Sequence, residues 1–145
     1  NRALSWIGEQ RIVNLDDENS RAAACNVHYA EEVETLLALF PWSFACARQA
    51  LAELTNDRSD EWSHKYQMPS FVARVEWVNE PDCAIRNKRM GMLPTSPYEI
   101  CDDVIYTNVD EAWMEYTKLI TDTTKFPPIF RTALSWSVAP AVHRT

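Results

Sequence analysis

From Asp17 to about Phe40, apolar residues recur at spacings of three or four: Ala22, Cys25, Tyr29, Val33, Leu36, Leu37 and Phe40. Arg21, His28, Glu31, Glu32 and Glu34 occupy positions between them. That period puts an apolar stripe on one side of an α-helix and a charged face on the other. The predicted amphipathic helix is about six turns long, roughly 36 Å at 1.5 Å per residue. Asn14 to Asp17 offers capping residues, and Asp16, Asp17 and Glu18 suit the positive end of a helix. Pro41 ends the helix because it lacks the amide hydrogen the next turn needs. Ahead of all this, Ala3 to Ile7 reads as a short apolar segment.

Beyond Pro41 the period shifts toward two, starting with Trp42, Phe44 and Cys46. A strand is the favoured reading there, with Ala45 to Leu54 as continued helix the alternative. Asn56 to Lys65 is polar and reads as a loop or hairpin excursion holding Trp62. Phe71 to Val78 alternates cleanly, with Phe71, Ala73, Val75 and Trp77 on one face and Arg74 and Glu76 on the other. Pro81 to Pro97 is a predicted loop. Tyr98 to Tyr106 reads as two short strands reversing at Asp102 and Asp103, and Ala112 to Ile120 alternates again. Pro127 and Pro128 suit the first turn of a closing helix bearing Ile129, Phe130, Ala133, Leu134 and Val138, which Pro140 ends or kinks. No repeat, low-complexity tract or linker interrupts the chain, so residues 1–145 read as a single domain. The start at Asn1 and the stop at Thr145 read as trimming from a longer protein at both ends.

At 145 residues the chain can bury roughly 68–70% of its unfolded surface in one ordinary core. Its 46% hydrophobic and 24% charged residues are globular values, and no apolar run approaches the ~18 residues of a membrane span. Fourteen Lys and Arg against 21 Asp and Glu leave a net charge of −7, which disfavours wrapping nucleic acid. Glycine excludes more. Only Gly8 and Gly91 occur, so a dinucleotide fingerprint, a Walker A loop and a GxSxG elbow are all ruled out.

Cys25, Cys46, Cys83 and Cys101 form no CxxC pair and read as reduced and mostly buried thiols, with two disulfides as the alternative for a secreted chain. His28, on the charged helix, and His64, in the polar loop, read as exposed histidines, and with His143 they make no HExxH. Neither metal nor cofactor is implied. The adjacent carboxylates at Asp16–Glu18, Glu31–Glu34 and Asp102–Asp103 are the only catalytic raw material. A helix N-terminus, a solvated helix face and a turn explain them respectively, so the chain reads as no enzyme. Arg86, Lys88 and Arg89 make a local positive patch suited to an acidic partner surface or a passing phosphate backbone. They lack the interleaved aromatics of a single-strand binder. The six tryptophans read as mostly core, with some available to anchor a subunit interface.

Several segments, taken in order, carry a resemblance. They are Leu4-Ser5-Trp6-Ile7-Gly8-Glu9 with Asn14-Leu15-Asp16, Phe40-Pro41-Trp42-Ser43-Phe44-Ala45, and Tyr66-Gln67-Met68-Pro69-Ser70-Phe71 leading to Arg74-Val75. Tyr98-Glu99-Ile100, Ile105-Tyr106-Thr107, Tyr116, Asp122, Phe126-Pro127-Pro128-Ile129-Phe130 and Ala133-Leu134 follow. Through these the chain resembles the head-to-tail adaptor (connector) proteins of tailed bacteriophages, of the tail tubular protein A type found in short-tailed phages. Each motif is degenerate; their order and spacing carry the likeness. Ser70-Phe71, where such proteins often have an acidic residue, and Pro140 in the closing helix depart from the pattern.

The resemblance implies an α+β fold: a helical bundle with a long amphipathic helix packed with a small antiparallel β-sheet. It implies a structural virion protein at the head-tail junction, made in the host cytoplasm, with no membrane partner. Copies would form a homo-oligomeric ring of about twelve subunits between the portal protein and the tail nozzle protein. Double-stranded DNA would pass through the channel during genome retention and ejection, and an acidic wall would let it slide. Candidate interface residues are Arg86, Lys88, Arg89, Glu31 and Glu34. Two other readings stand beside it: a tail-associated cell-wall-degrading enzyme using the spare carboxylates, and a minor DNA-contacting module using the basic cluster.

Overall fold

Among the described residues, seven strands form two antiparallel sheets between Cys46 and Lys118, and helices lie before and after them. The computed structural model describes residues 2–6, 20–80 and 95–143. Two compact units result: Asn1–Phe40 with Ile120–Thr145, and Pro41–Leu119.

The expected helical bundle with a small sheet is therefore overturned. Among the described residues there are three helices: α1 (Arg2–Trp6), α2 (Ser20–Leu39) and α3 (Pro128–His143). With α1 only 5 residues long, α2 and α3 alone exceed two turns, and two helices meet along one seam without enclosing a bundle core. The sheets are correspondingly larger than expected. The order β1-β7-β4 joins β1 (Cys46–Ala50), β7 (Trp113–Lys118) and β4 (Val72–Asn79). The order β2-β3-β6-β5 joins β2 (Ala52–Leu54), β3 (His64–Gln67), β6 (Val104–Thr107) and β5 (Tyr98–Cys101).

The chain leaves the first sheet for the second at Leu51, a buried residue whose N–H donates to the Ala112 carbonyl at 2.8 Å. A strand that changes sheets forms a corner, and side chains of both sheets can then share one core. Leu51, Tyr66, Val78, Ile105, Val109, Ala112, Met114 and Tyr116 form that core. β7 has partners on both sides, β1 and β4, and its Met114 and Tyr116 are buried while Trp113 and Glu115 are half-buried. β4 departs from the clean alternation expected over Phe71–Val78. Its register slips between Val72 and Arg74 and again between Val75 and Trp77, so Trp77, Val78 and Asn79 are buried in succession. Phe71 stands outside the strand with φ 60 and is exposed. The reversal at Asp102-Asp103 joins β5 to β6, and Asp102 takes φ 53, a left-handed conformation that Asp tolerates.

In the helical unit Leu4, Leu37 and Phe130, one from each helix, are completely buried. α3 packs on both α1 and α2. Arg2 Nη1 donates to Thr132 Oγ1 at 3.0 Å, the Ser137 hydroxyl donates to the Glu32 carboxylate, and the Phe126 and Phe130 rings lie 4.7 Å apart. α3 begins at Pro128, where the missing N–H costs nothing, and continues through Pro140 to His143 instead of ending there. Asp122 accepts from the Thr124 N–H at 3.0 Å and from its hydroxyl at 2.7 Å, which caps a short 3-10 turn and holds the carboxyl below its usual range.

Two expectations about burial also fail. Of the six tryptophans only Trp77 is buried; Trp42 and Trp62 in connecting segments and Trp113 on β7 are half-buried, and Trp6 and Trp136 are exposed on α1 and α3. Among the described cysteines Cys25 is buried, Cys101 half-buried and Cys46 exposed, and none of the three is in a disulfide. Cys46 opens β1, where a residue facing away from the shared core meets solvent. No helix among the described residues is long and apolar enough to cross a membrane.

Candidate functional site

Glu31 and Glu34 lie on the exposed face of α2, three positions apart and hence side by side on the helix. Neither makes an ion pair among the described residues, whereas Glu32 is turned toward α3 through Ser137. Arg86, Lys88 and Arg89 lie outside the described residues, as do Asp16 to Glu18 and Cys83. The Glu31 and Glu34 side chains are both exposed on the helix.

Residues 56–65, expected as a polar loop or hairpin excursion holding Trp62, carry a connected cluster of charged side chains. Asn56 organises the loop: its Nδ2 donates to the Trp62 carbonyl at 2.6 Å and its Oδ1 accepts from the Arg58 N–H at 3.0 Å. Arg58 Nη1 then reaches Glu99 Oε1 on β5 at 2.8 Å, and the guanidinium also pairs with Glu61. Its Cζ lies 4.9 Å from the Tyr106 ring centroid, with Lys65 Nζ 5.4 Å from the same ring. Lys65 Nζ and Tyr106 Oη both donate to Asp57 Oδ1, at 2.8 and 3.0 Å. The strand register explains the convergence, since Lys65 is opposite Tyr106 and Tyr106 opposite Glu99, so the three share one sheet face. The alternating charges Asp57, Arg58, Glu61 and Lys65 were the signal, but their partner Glu99 is 41 positions from Arg58.

Charge pairing fixes the chemistry of this cluster. Bonds from Arg58 and then Cys101 hold the Glu99 carboxyl below its usual range, and bonds from Lys65 and Tyr106 do the same for Asp57. Arg58 and Lys65 are pushed up by their carboxylate partners. The Glu99 carboxylate also raises the Cys101 thiol, which donates to Glu99 Oε1 at 3.2 Å, so the thiol stays protonated and a poor nucleophile. Ionised, mutually neutralised groups of this kind clamp the loop onto the sheet. His64, expected in the loop, is half-buried at the start of β3, with Nδ1 2.8 Å from Glu53 Oε1.

The clamp has a pH signature. Asp57 and Glu99 are depressed in the folded state, so their contribution is fully present above the unfolded carboxyl value of about 4 and is lost as pH falls through the folded values. The stability difference between the native protein and E99Q is therefore expected to be constant from neutral pH to about pH 5 and to shrink toward about pH 3. Urea unfolding across that range measures it; a difference that grows on acidification would contradict the pairing.

The helical unit carries a different kind of surface. Trp6 of α1 and Trp136 of α3 are in ring contact, centroids 4.6 Å apart, yet are 43% and 66% exposed. Ile129, two turns before Trp136 on α3, is 70% exposed. Phe130, Leu134 and Val138 already supply the buried side of α3, so Ile129 and Trp136 form an additional apolar surface on the outside of the helix.

Among the described residues no group of three or more His, Cys, Asp or Glu could hold a metal ion. No protein-family model matches the chain, and no curated protein matches it.

Proposed function

We propose that this chain is a structural virion protein, a ring-forming adaptor between a phage portal and tail nozzle around the DNA channel. The fold that the resemblance implied does not hold, so the proposal rests on the ordered run of matching segments and on surface chemistry. The observation that carries it is the exposed Trp6–Trp136 pair with Ile129 beside it on α3. Tryptophan at the centre of a contact supplies large desolvation energy, and paired exposed tryptophans serve subunit association better than they serve solubility. The exposed Glu31 and Glu34 on α2 provide a second, polar contact, and heterologous contacts between two different patches of one chain form a ring when the rotation between neighbours closes. A net charge of −7 suits the wall of a channel through which DNA slides.

The test is electron microscopy of the full-length protein mixed with its portal ring, with the protein alone as control. A closed ring of added density at one end of the portal is the expected result. A bare portal with a monomeric protein would overturn the proposal. Charge reversal at Glu31 and Glu34 is expected to reduce ring yield while the melting temperature is unchanged, and an unaltered yield would remove those two residues from the interface.

A further inference from the structure

Within the helical unit Arg2, Arg131, Tyr29, Phe126 and Leu134 line a cleft of about 460 Å³. That volume lies within the range of pockets that hold a small ligand group, roughly 300–1,000 Å³. Its chemistry is unusual for this chain. Two arginines line one concavity in a protein of net charge −7, and neither forms an ion pair among the described residues. Arg2 spends one N–H on Thr132 Oγ1, at 3.0 Å, and Arg131 makes no side-chain hydrogen bond among the described residues. Most of the ten N–H donors of the two forks therefore remain for a ligand. Burial raises the Tyr29 phenol, which keeps its proton as a further donor.

Planar forks of this kind match the two oxygens of a carboxylate, and two cations sharing a cleft repel each other until an anion sits between them. Phe126 and Leu134 provide an apolar wall beside the cations, which a free inorganic anion would not use. A nucleic acid fits less well, because two phosphate contacts release too few counterions to overcome repulsion from an acidic protein.

We propose that this cleft is a docking site for an acidic peptide segment of a partner protein, Arg2 and Arg131 taking its carboxylates and Phe126 and Leu134 a neighbouring apolar side chain. The inference stands on the cleft and is independent of ring assembly.

Amide chemical shifts of the full chain, titrated with the peptide acetyl-Glu-Leu-Glu-amide, test it. Shifts at Phe126, Arg131 and Ser135 with millimolar affinity are expected. The Gln-Leu-Gln counterpart and inorganic phosphate should each bind at least about tenfold more weakly, the loss of one charge-assisted contact. R131Q should weaken the acidic peptide by about tenfold without moving the melting temperature, and R131K should recover only part, since it restores charge without the fork. Because Arg131 makes no side-chain hydrogen bond among the described residues, that variant remains informative even if R2Q destabilises α1. The proposal is overturned by absent shifts at the cleft, by equal binding of the Gln peptide, by phosphate or a DNA duplex binding as tightly, or by an unaffected R131Q.

Discussion

Replacing Tyr66 by alanine is expected to destabilise the sheet unit by about 3–5 kcal/mol, a large share of the ~5–15 kcal/mol that holds a typical domain together. Tyr66 is only 1% exposed and lies in the core formed by both sheets. Its hydroxyl donates to the Val109 carbonyl at 2.9 Å and lies 3.5 Å from the Ala112 N–H, so truncation empties a ring-sized space and removes the partner of a buried carbonyl. Y66F separates the two effects. It keeps the volume and loses the bond, for an expected cost of about 1 kcal/mol, with the long Ala112 contact adding little. Urea unfolding followed by tryptophan fluorescence measures both, and Trp77 of the same unit is a buried reporter. Equal costs for Y66A and Y66F would mean that the hydrogen bond, and not packing, dominates at this position.

The second large effect is expected in the helical unit. Phe130 is fully buried and contacts Phe126, so F130A should cost about 3–5 kcal/mol and raise amide exchange along α2 and α3. W136A supplies the contrast. Trp136 is on the same helix and equally aromatic but largely exposed, so its removal should change stability by no more than about 0.5 kcal/mol beyond its contact with Trp6. Under the adaptor proposal the same variant should lose ring yield. One helix would then separate folding from assembly: the inner position moves exchange rates and the outer position moves the ring. A W136A protein that assembles normally would leave the Trp6–Trp136 surface without the role proposed for it.

Elements governed by neighbours in sequence were legible. Most of the apolar repeat expected over 17–40 falls on α2, which spans Ser20–Leu39 and leaves Phe40 outside it, while the reversal at Asp102-Asp103 joins β5 to β6 and Pro128 opens α3. Each depends on backbone preference and side-chain period within a few residues. The strand over 46–50 was legible only as one of two alternatives, because a short apolar run satisfies either period. β4 misled through its regular alternation, since two register slips against β7 rotate its last residues inward, and a bulge is decided by the partner strand.

The candidate site was less legible than the fold. Glu31 and Glu34 were visible as charges on a helical face, but a helix pattern does not distinguish solvated glutamates from contact residues. The Arg58 clamp and the Arg2–Arg131 cleft each bring together residues far apart in the chain, and nothing local in either arginine announces its partners. Composition and the short-range pattern established an acidic, glycine-poor chain with particular helices, turns and strands. The pairing of β1 with β7, the corner at Leu51 and the outward face of Trp136 belong to the tertiary structure. Strand partners and burial depend on contacts between distant segments, whose free energy appears only when those segments meet, whereas period and turn chemistry act within a few residues of the backbone.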